Sequence, residues 1–163
     1  MNNIIVYHGG TQIVETPICK FGRPNLDFGQ GFYVTDIREQ AVLWALQTAN
    51  RRKQQPILNM YLFEREIVVS QFRCKIFKNY DEEWLHFIVA SRNGERVAEA
   101  FDYIEGGVAN DRVIDTVNLY MAGLMDLKTA LTRLSEHQPN NQICLLSQAI
   151  ADKHLKFNGT EKI

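Results

Sequence analysis

Residues 16–31 most constrain what this chain can become. Pro17, Gly22, Pro24, Gly29 and Gly31 fall in that stretch, between the apolar run Ile4-Ile5-Val6-Tyr7 and the aromatic run Phe32-Tyr33-Val34-Thr35. Both runs read as short strands, and the stretch between them reads as one long loop. Long loops are uncommon in compact domains and usually serve binding or catalysis. Beyond it, strands and helices mix without a strict βαβ rhythm. The expected class is therefore α+β, not a doubly wound parallel sheet. No repeat, low-complexity tract or Pro/Gly/Ser-rich linker interrupts the chain, so residues 1–163 are expected to form one domain.

Local pattern places further elements. Asp36 with Glu39 makes a capping-box start for a helix carrying Ile37, Ala41, Trp44, Ala45 and Thr48 on one face, with Arg51-Arg52-Lys53 at its negative end. Residues 57–63 put Leu58, Met60 and Leu62 on one face, as a half-buried strand does, and residues 66–77 are expected to contain one more strand. Asp81 caps a helix carrying Trp84, Leu85, Ile88 and Val89, stopped by Asn93-Gly94. Phe101–Val108 reads as a strand, Asp126 caps a helix through Leu134, and Gln142–Leu146 is a buried strand. The polar C-terminal stretch is expected to fray.

Composition excludes more than it selects. The 163 residues carry 18 Lys+Arg against 19 Asp+Glu, a formal net charge of −1, which gives no overall grip on nucleic acid or anionic membranes. No apolar run approaches the ~18 residues of a membrane span, and Met1–His8 lacks the basic region of a signal peptide. Cys19, Cys74 and Cys144 match no zinc spacing, and no metal site is expected. A cytoplasmic protein is the expectation. The absence of G-x-G-x-x-G and of a P-loop argues against those nucleotide folds.

Two short constellations carry chemistry. His8 ends an apolar strand and is followed by Gly9-Gly10-Thr11. Such a histidine serves either the core or a ligand; the glycines allow a backbone to approach something bulky, and one imidazole nitrogen can hold a hydroxyl while the other fixes the tautomer. In Asp27-Phe28-Gly29-Gln30-Gly31-Phe32-Tyr33-Val34-Thr35, alternation separates Phe32 and Val34 from Tyr33 and Thr35. Tyr33 is then either an edge tyrosine or a stacking platform for a flat ring. Asp27 reads first as a loop cap. Asn110-Asp111 reads as a turn with Asp111 capping the segment after it, or as the source of a catalytic carboxylate. Trp44 and Trp84 read as core residues.

Taken together, His8-Gly9-Gly10-Thr11 and Phe28-Gly29-Gln30-Gly31-Phe32-Tyr33 resemble the ADP-ribosyltransferase superfamily, in its poly-ADP-ribose-polymerase and diphtheria-toxin branch. The wider pattern is similar to a bacterial family of unknown function within that superfamily. Tyr7–Gly10, Asp27–Thr35, Ala41 with Trp44-Ala45, Ala109-Asn110-Asp111 and Asn140–Cys144 carry that likeness across nearly the whole chain. Within those two motifs the chain departs from the branch twice: an extra glycine displaces Thr11, and Gln30 stands where lysine is usual.

The resemblance implies a split antiparallel β-sheet with flanking helices, and NAD as co-substrate. His8 would bond the ribose of the adenosine half, the Gly9 backbone would hold the nicotinamide carboxamide, and Tyr33 would stack on the nicotinamide ring. Gly10, Thr11, Phe28, Gly29, Gly31 and Asp111 complete the implied cofactor-binding set. Gln142 aligns with the usual glutamate; an amide can bond a hydroxyl but cannot supply a negative charge or act as a base. The implied activity is mono-ADP-ribosyl transfer to an unknown acceptor (protein, nucleic acid or small molecule) by a toxin-like bacterial effector that would have an antitoxin partner. Two alternatives share the fold: a catalytically weak NAD- or ADP-ribose-binding module, and an RNA 2′-phosphotransferase. The latter leans on an arginine cluster that the sequence does not display.

Overall fold

The two strand-forming runs at the start of the chain end up in different sheets. The computed structural model describes residues 3–24, 26–137 and 140–163, with the side chain of Asp111 outside that description. In chain order the elements are β1 (Ile4–Gly10), β2 (Phe32–Val34), α1 (Arg38–Arg52), β3 (Ile57–Phe63), α2 (Arg65–Gln71), β4 (Cys74–Ile76), α3 (Glu82–Arg92), β5 (Tyr103–Gly106), α4 (Asp111–Met121), α5 (Leu127–Leu134), β6 (Gln142–Leu145), α6 (Gln148–His154) and β7 (Leu155–Lys162). Together they make a single α+β domain. Among the described residues, one sheet is antiparallel in the order β1-β3-β7 and the other has the order β2-β6-β5-β4. The second sheet is mixed, not antiparallel throughout, because β4 runs parallel to β5.

Strand alternation assigns the faces. Val6, Tyr61 and Phe63 of the first sheet pack with Phe32, Val34, Tyr103, Ile143 and Leu145 of the second, and α2 and α6 add Val68, Ile150 and Ala151. The opposite face of the second sheet, with Ile104 and Cys144, packs on Trp84, Leu85 and Ile88 of α3, Val113 and Val117 of α4, and Ala130 and Leu134 of α5. On the outer side of the first sheet, α1 buries Ala41, Ala45 and Ala49. Small residues let α1 sit close to β1. A Cβ on Gly9 would lie 1.9 Å from the Ala41 carbonyl oxygen, so only glycine fits there.

Several local expectations change. The helix after β2 starts at Arg38 with Ile37 as its cap, and Asp36 instead accepts a bond from Asn141 Nδ2. Thr35 Oγ1 accepts from the Ile37 amide, which displaces the capping box. β3 buries Ile57, Asn59, Tyr61 and Phe63 as well as Leu58, because it is the central strand, while Met60 and Leu62 are only half-buried. The 66–77 stretch divides into α2 and the three-residue β4. Asn110, not Asp111, caps α4, its Oδ1 accepting from the Arg112 and Val113 amides. The C-terminal stretch forms β7, an eight-residue strand paired along β3. Polar residues suit it because β7 is an edge strand. The caps at Asp81 and Asp126 are as expected, each accepting an amide bond of its own first turn.

The tight β1–α1 approach has a measurable consequence. Gly9→Ala should cost about 1–3 kcal/mol by overpacking. Gly10→Ala, whose Cβ would meet nothing closer than His8 Nε2 at 3.6 Å, should melt within a degree or two of wild type. Chemical denaturation of the two variants beside wild type checks the contrast.

Candidate functional site

β1 and β2 touch at one point and then part. Tyr7 and Thr35 exchange both backbone bonds, at 2.8 and 2.9 Å, and form an isolated antiparallel bridge between the sheets. Backbone polar groups alternate sides along a strand, so Gly9, two residues beyond Tyr7, also directs its N–H and C=O away from β3. A continuous ladder would pair Gly9 with Tyr33. Instead the His8 ring takes the Tyr33 carbonyl, with Nδ1 at 2.8 Å. Among the described residues no backbone bond joins Gly9 to Tyr33. The strand edge at Gly9 is left open.

His8 is fixed on both sides. Its ring stacks on Phe32, with centroids 4.4 Å apart. A carbonyl only accepts, so Nδ1 carries the proton and Nε2 presents a lone pair. Burial lowers the imidazole pKa from the ordinary 6.5, and the Tyr33 carbonyl bond opposes that shift less strongly. Neutral His8 is thus an acceptor at Nε2, beside the bare backbone of Gly10.

Tyr33 is anchored through its hydroxyl, which donates to the Gly29 carbonyl at 2.5 Å and accepts from the Phe28 amide at 3.1 Å. Burial pushes its phenol well above the usual range. The ring is held as a platform, with no role left for a phenolate. Gly29 adopts φ of +85°, a left-handed conformation that favours glycine, and a Cβ there would lie 2.5 Å from that of Ala98. Gln30 Nε2 donates to the carbonyls of Lys20 and Gly22, fastening the long loop back on itself.

Gln142 starts β6, on the same face as Tyr33 and Cys144, and is 4% exposed. Its Nε2 makes one long contact, 3.5 Å, with the Gly107 carbonyl. Asn141 beside it is tied to Thr35, Asp36 and Gln40. This knot registers β6 against the start of α1.

These residues meet in one cleft of about 800 Å³, within the size range of small-molecule sites. His8, Gly31, Tyr33 and Gln142 all line it. Gly9, Gly10 and Thr11 line an adjoining pocket of about 310 Å³, which shares His8 with the larger cleft. The Thr11 hydroxyl is buried and has no partner among the described residues. Phe28 stands apart: it is fully buried, against Phe77 and Phe87 in the core. Gly29 serves Tyr33 and the packing of Ala98. The role expected for Asp111 falls on a side chain outside the described residues. Asp27 does more than cap a loop, since it pairs with Arg92 at 2.7 Å and accepts from the Ala109 amide. Buried Glu105, held by Arg65 and the Tyr103 hydroxyl, lies on the opposite sheet face from Gln142 and does not serve the cleft.

A family model described as "Protein of unknown function (DUF3990)" matches residues 4–157. The chain belongs to that family. No curated protein matches it.

Sequence pattern alone left several cleft residues unassigned. Trp44 is half-buried and faces the cleft, not the core, together with Gln47, Thr48 and Arg51. Those four positions have helical i, i+3, i+4, i+7 spacing, a detectable signal. It reads as an ordinary core face until the sheet beneath α1 is seen to need only the alanine stripe. Glu15 and Arg23 come from the long loop, where no periodicity exists to announce them. Among the described residues no helix is long and apolar enough to cross a membrane.

His8 makes a pH signature. A histidine held below its ordinary pKa favours the neutral folded state, so its contribution is whole above about pH 6.5 and is lost as pH falls toward the folded value. Melting temperatures of wild type and His8→Gln between pH 8 and 5 should show the wild type losing ground to the variant below that point. A gap constant with pH would contradict the assignment.

Proposed function

We propose that the cleft binds NAD and cleaves its nicotinamide–ribose bond, transferring ADP-ribose to an acceptor. The observation that carries this reading is the open strand edge at Gly9, beside the His8 acceptor and next to the cleft that the anchored Tyr33 ring lines. A primary carboxamide has one donor group and one acceptor, and an unpaired strand residue offers the complementary pair. Tyr33 gives a flat apolar ring for nicotinamide to stack on. His8 Nε2 accepts from a ribose hydroxyl. The likeness of both motifs to the ADP-ribosyltransferase superfamily, with its split-sheet fold, supports the same assignment.

In the reaction the C–N bond to the anomeric carbon breaks, and its electron pair leaves on the ring nitrogen as neutral nicotinamide. An acceptor lone pair then forms the new bond to that carbon and releases its proton to solvent. The transition state resembles an oxocarbenium ion, as in glycoside hydrolysis. Positioning by His8, Gly9 and Tyr33 supplies most of what the protein can contribute. Gln142 can orient a hydroxyl or an acceptor but provides no charge.

That neutral Gln142, together with the engagement of Asp27 by Arg92, favours a second reading: binding without rapid turnover. Glu15 lines the cleft and, among the described residues, has no cationic partner, so it is the carboxylate to test first.

Nicotinamide release from labelled NAD separates the readings. The proposal expects release by wild type, a fall of roughly 10²-fold in His8→Ala and Tyr33→Ala, and a sharp rise in hydrolysis for Gln142→Glu. Saturable NAD binding with no release favours the binding module. Neither binding nor release contradicts both.

A further inference from the structure

The protein's near-neutral charge conceals a local imbalance. Arg23 of the long loop and Arg51 and Arg52 of the last turn of α1 line both the cleft and the adjoining pocket. Among the described residues lining the smaller pocket there is no carboxylate. Nor does any of the three arginines form an ion pair among the described residues. Three unneutralised guanidiniums thus converge on a pocket of about 310 Å³ in a chain of formal charge −1. Arginines at a helix C-terminus also complement its dipole, but that effect needs no second element. Arg23 reaches the same pocket from a loop that packs elsewhere, which the dipole does not explain. Thr48, one turn before Arg52, lines the pocket with them, and Thr11, another lining residue, has a buried hydroxyl without a partner among the described residues.

We infer that the arginine-lined wall where this pocket joins the larger cleft is an anion subsite for the diphosphate of a nucleotide, gripped by Arg23, Arg51 and Arg52 beside Thr48. Guanidinium forks match phosphate oxygens in pairs, and a concave basic wall focuses the field on a small anion. His8, Thr48 and the three arginines belong to the walls of both cavities, so the basic wall is continuous with the cleft that Tyr33 lines. The ligand's identity as NAD rests on the proposed function; the anion subsite itself does not.

The test compares ADP, adenosine and inorganic pyrophosphate by calorimetry with the full chain, at roughly 50 and 200 mM salt. ADP should bind at least about tenfold tighter than adenosine, with the advantage shrinking at high salt. The Arg23→Gln/Arg51→Gln/Arg52→Gln variant should lose that advantage and leave adenosine binding unchanged. Lys53→Gln alters a cation at the same helix end that does not line the pocket, and should bind ADP as wild type does. The substituted arginines are exposed, so circular dichroism and melting should stay at wild-type values. Equal affinity for ADP and adenosine, or ADP binding untouched by the triple substitution, overturns the subsite. Weakening by Lys53→Gln equal to that of the triple variant also overturns it, since the effect is then diffuse charge. Arginine-dependent binding of ADP without binding of NAD keeps the subsite and removes the NAD reading. NAD cleavage unchanged in the triple variant does the reverse.

Discussion

Among the described residues, the cleft opens beside one isolated bridge between the two sheets. Tyr7 and Thr35 are the point where β1 and β2 meet, and past it the His8 ring occupies the Tyr33 carbonyl that a continuing ladder would have used. A sheet normally closes its edges by pairing, because an unpaired backbone group costs free energy when shielded from water. Here the diversion costs little, since the carbonyl stays bonded to imidazole at 2.8 Å. The result is an open strand edge at Gly9 inside a concave site. The long loop, fastened by Gln30, then covers one side, and α1 covers the other.

The same constraint organises the residues around the opening. Gly9 must be glycine for α1 to approach, and that approach brings Trp44, Thr48 and Arg51 to the cleft wall. Asn59, fully buried in β3, bonds Val14 and Gln12 through its amide and shapes the exit from β1. Replacing Gly9 or Asn59 would act on the cleft through backbone position, not through direct side-chain contact with a ligand. Charge obeys the same geometry: Asp27 and Glu105 are each matched to an arginine, while Arg23, Arg51 and Arg52 face the cavity.

Much of this was legible in the chain, for physical reasons. Strands with strong local alternation and helices with side-chain caps, such as those begun by Asp81 and Asp126, announce themselves because their determinants are adjacent in sequence. The His8 and Tyr33 contexts were legible because glycine and aromatic spacing is short-range. Features that depend on partners distant in sequence were not. β7 is polar yet ordered because β3 supplies its ladder. The split of 66–77 into α2 and β4 arises from β4 having a parallel partner in β5, which no local pattern reveals. Arg51 and Arg52 read as a solvated helix end, and only the arrival of Arg23 from another element turns them into a pocket wall. Phe28, placed by motif beside a ligand, is drawn instead into the aromatic core by Phe77 and Phe87.

On the proposed function, the open edge at Gly9 holds the ligand's carboxamide. Backbone amide NMR of the full chain during an NAD titration tests it most directly. Carboxamide capture at Gly9 predicts saturable shifts at Gly9 and Tyr33, while Leu58, which faces Gly9 from β3, moves little. Saturable binding that leaves the Gly9 amide unmoved, or no shift at either residue at millimolar NAD, would contradict it.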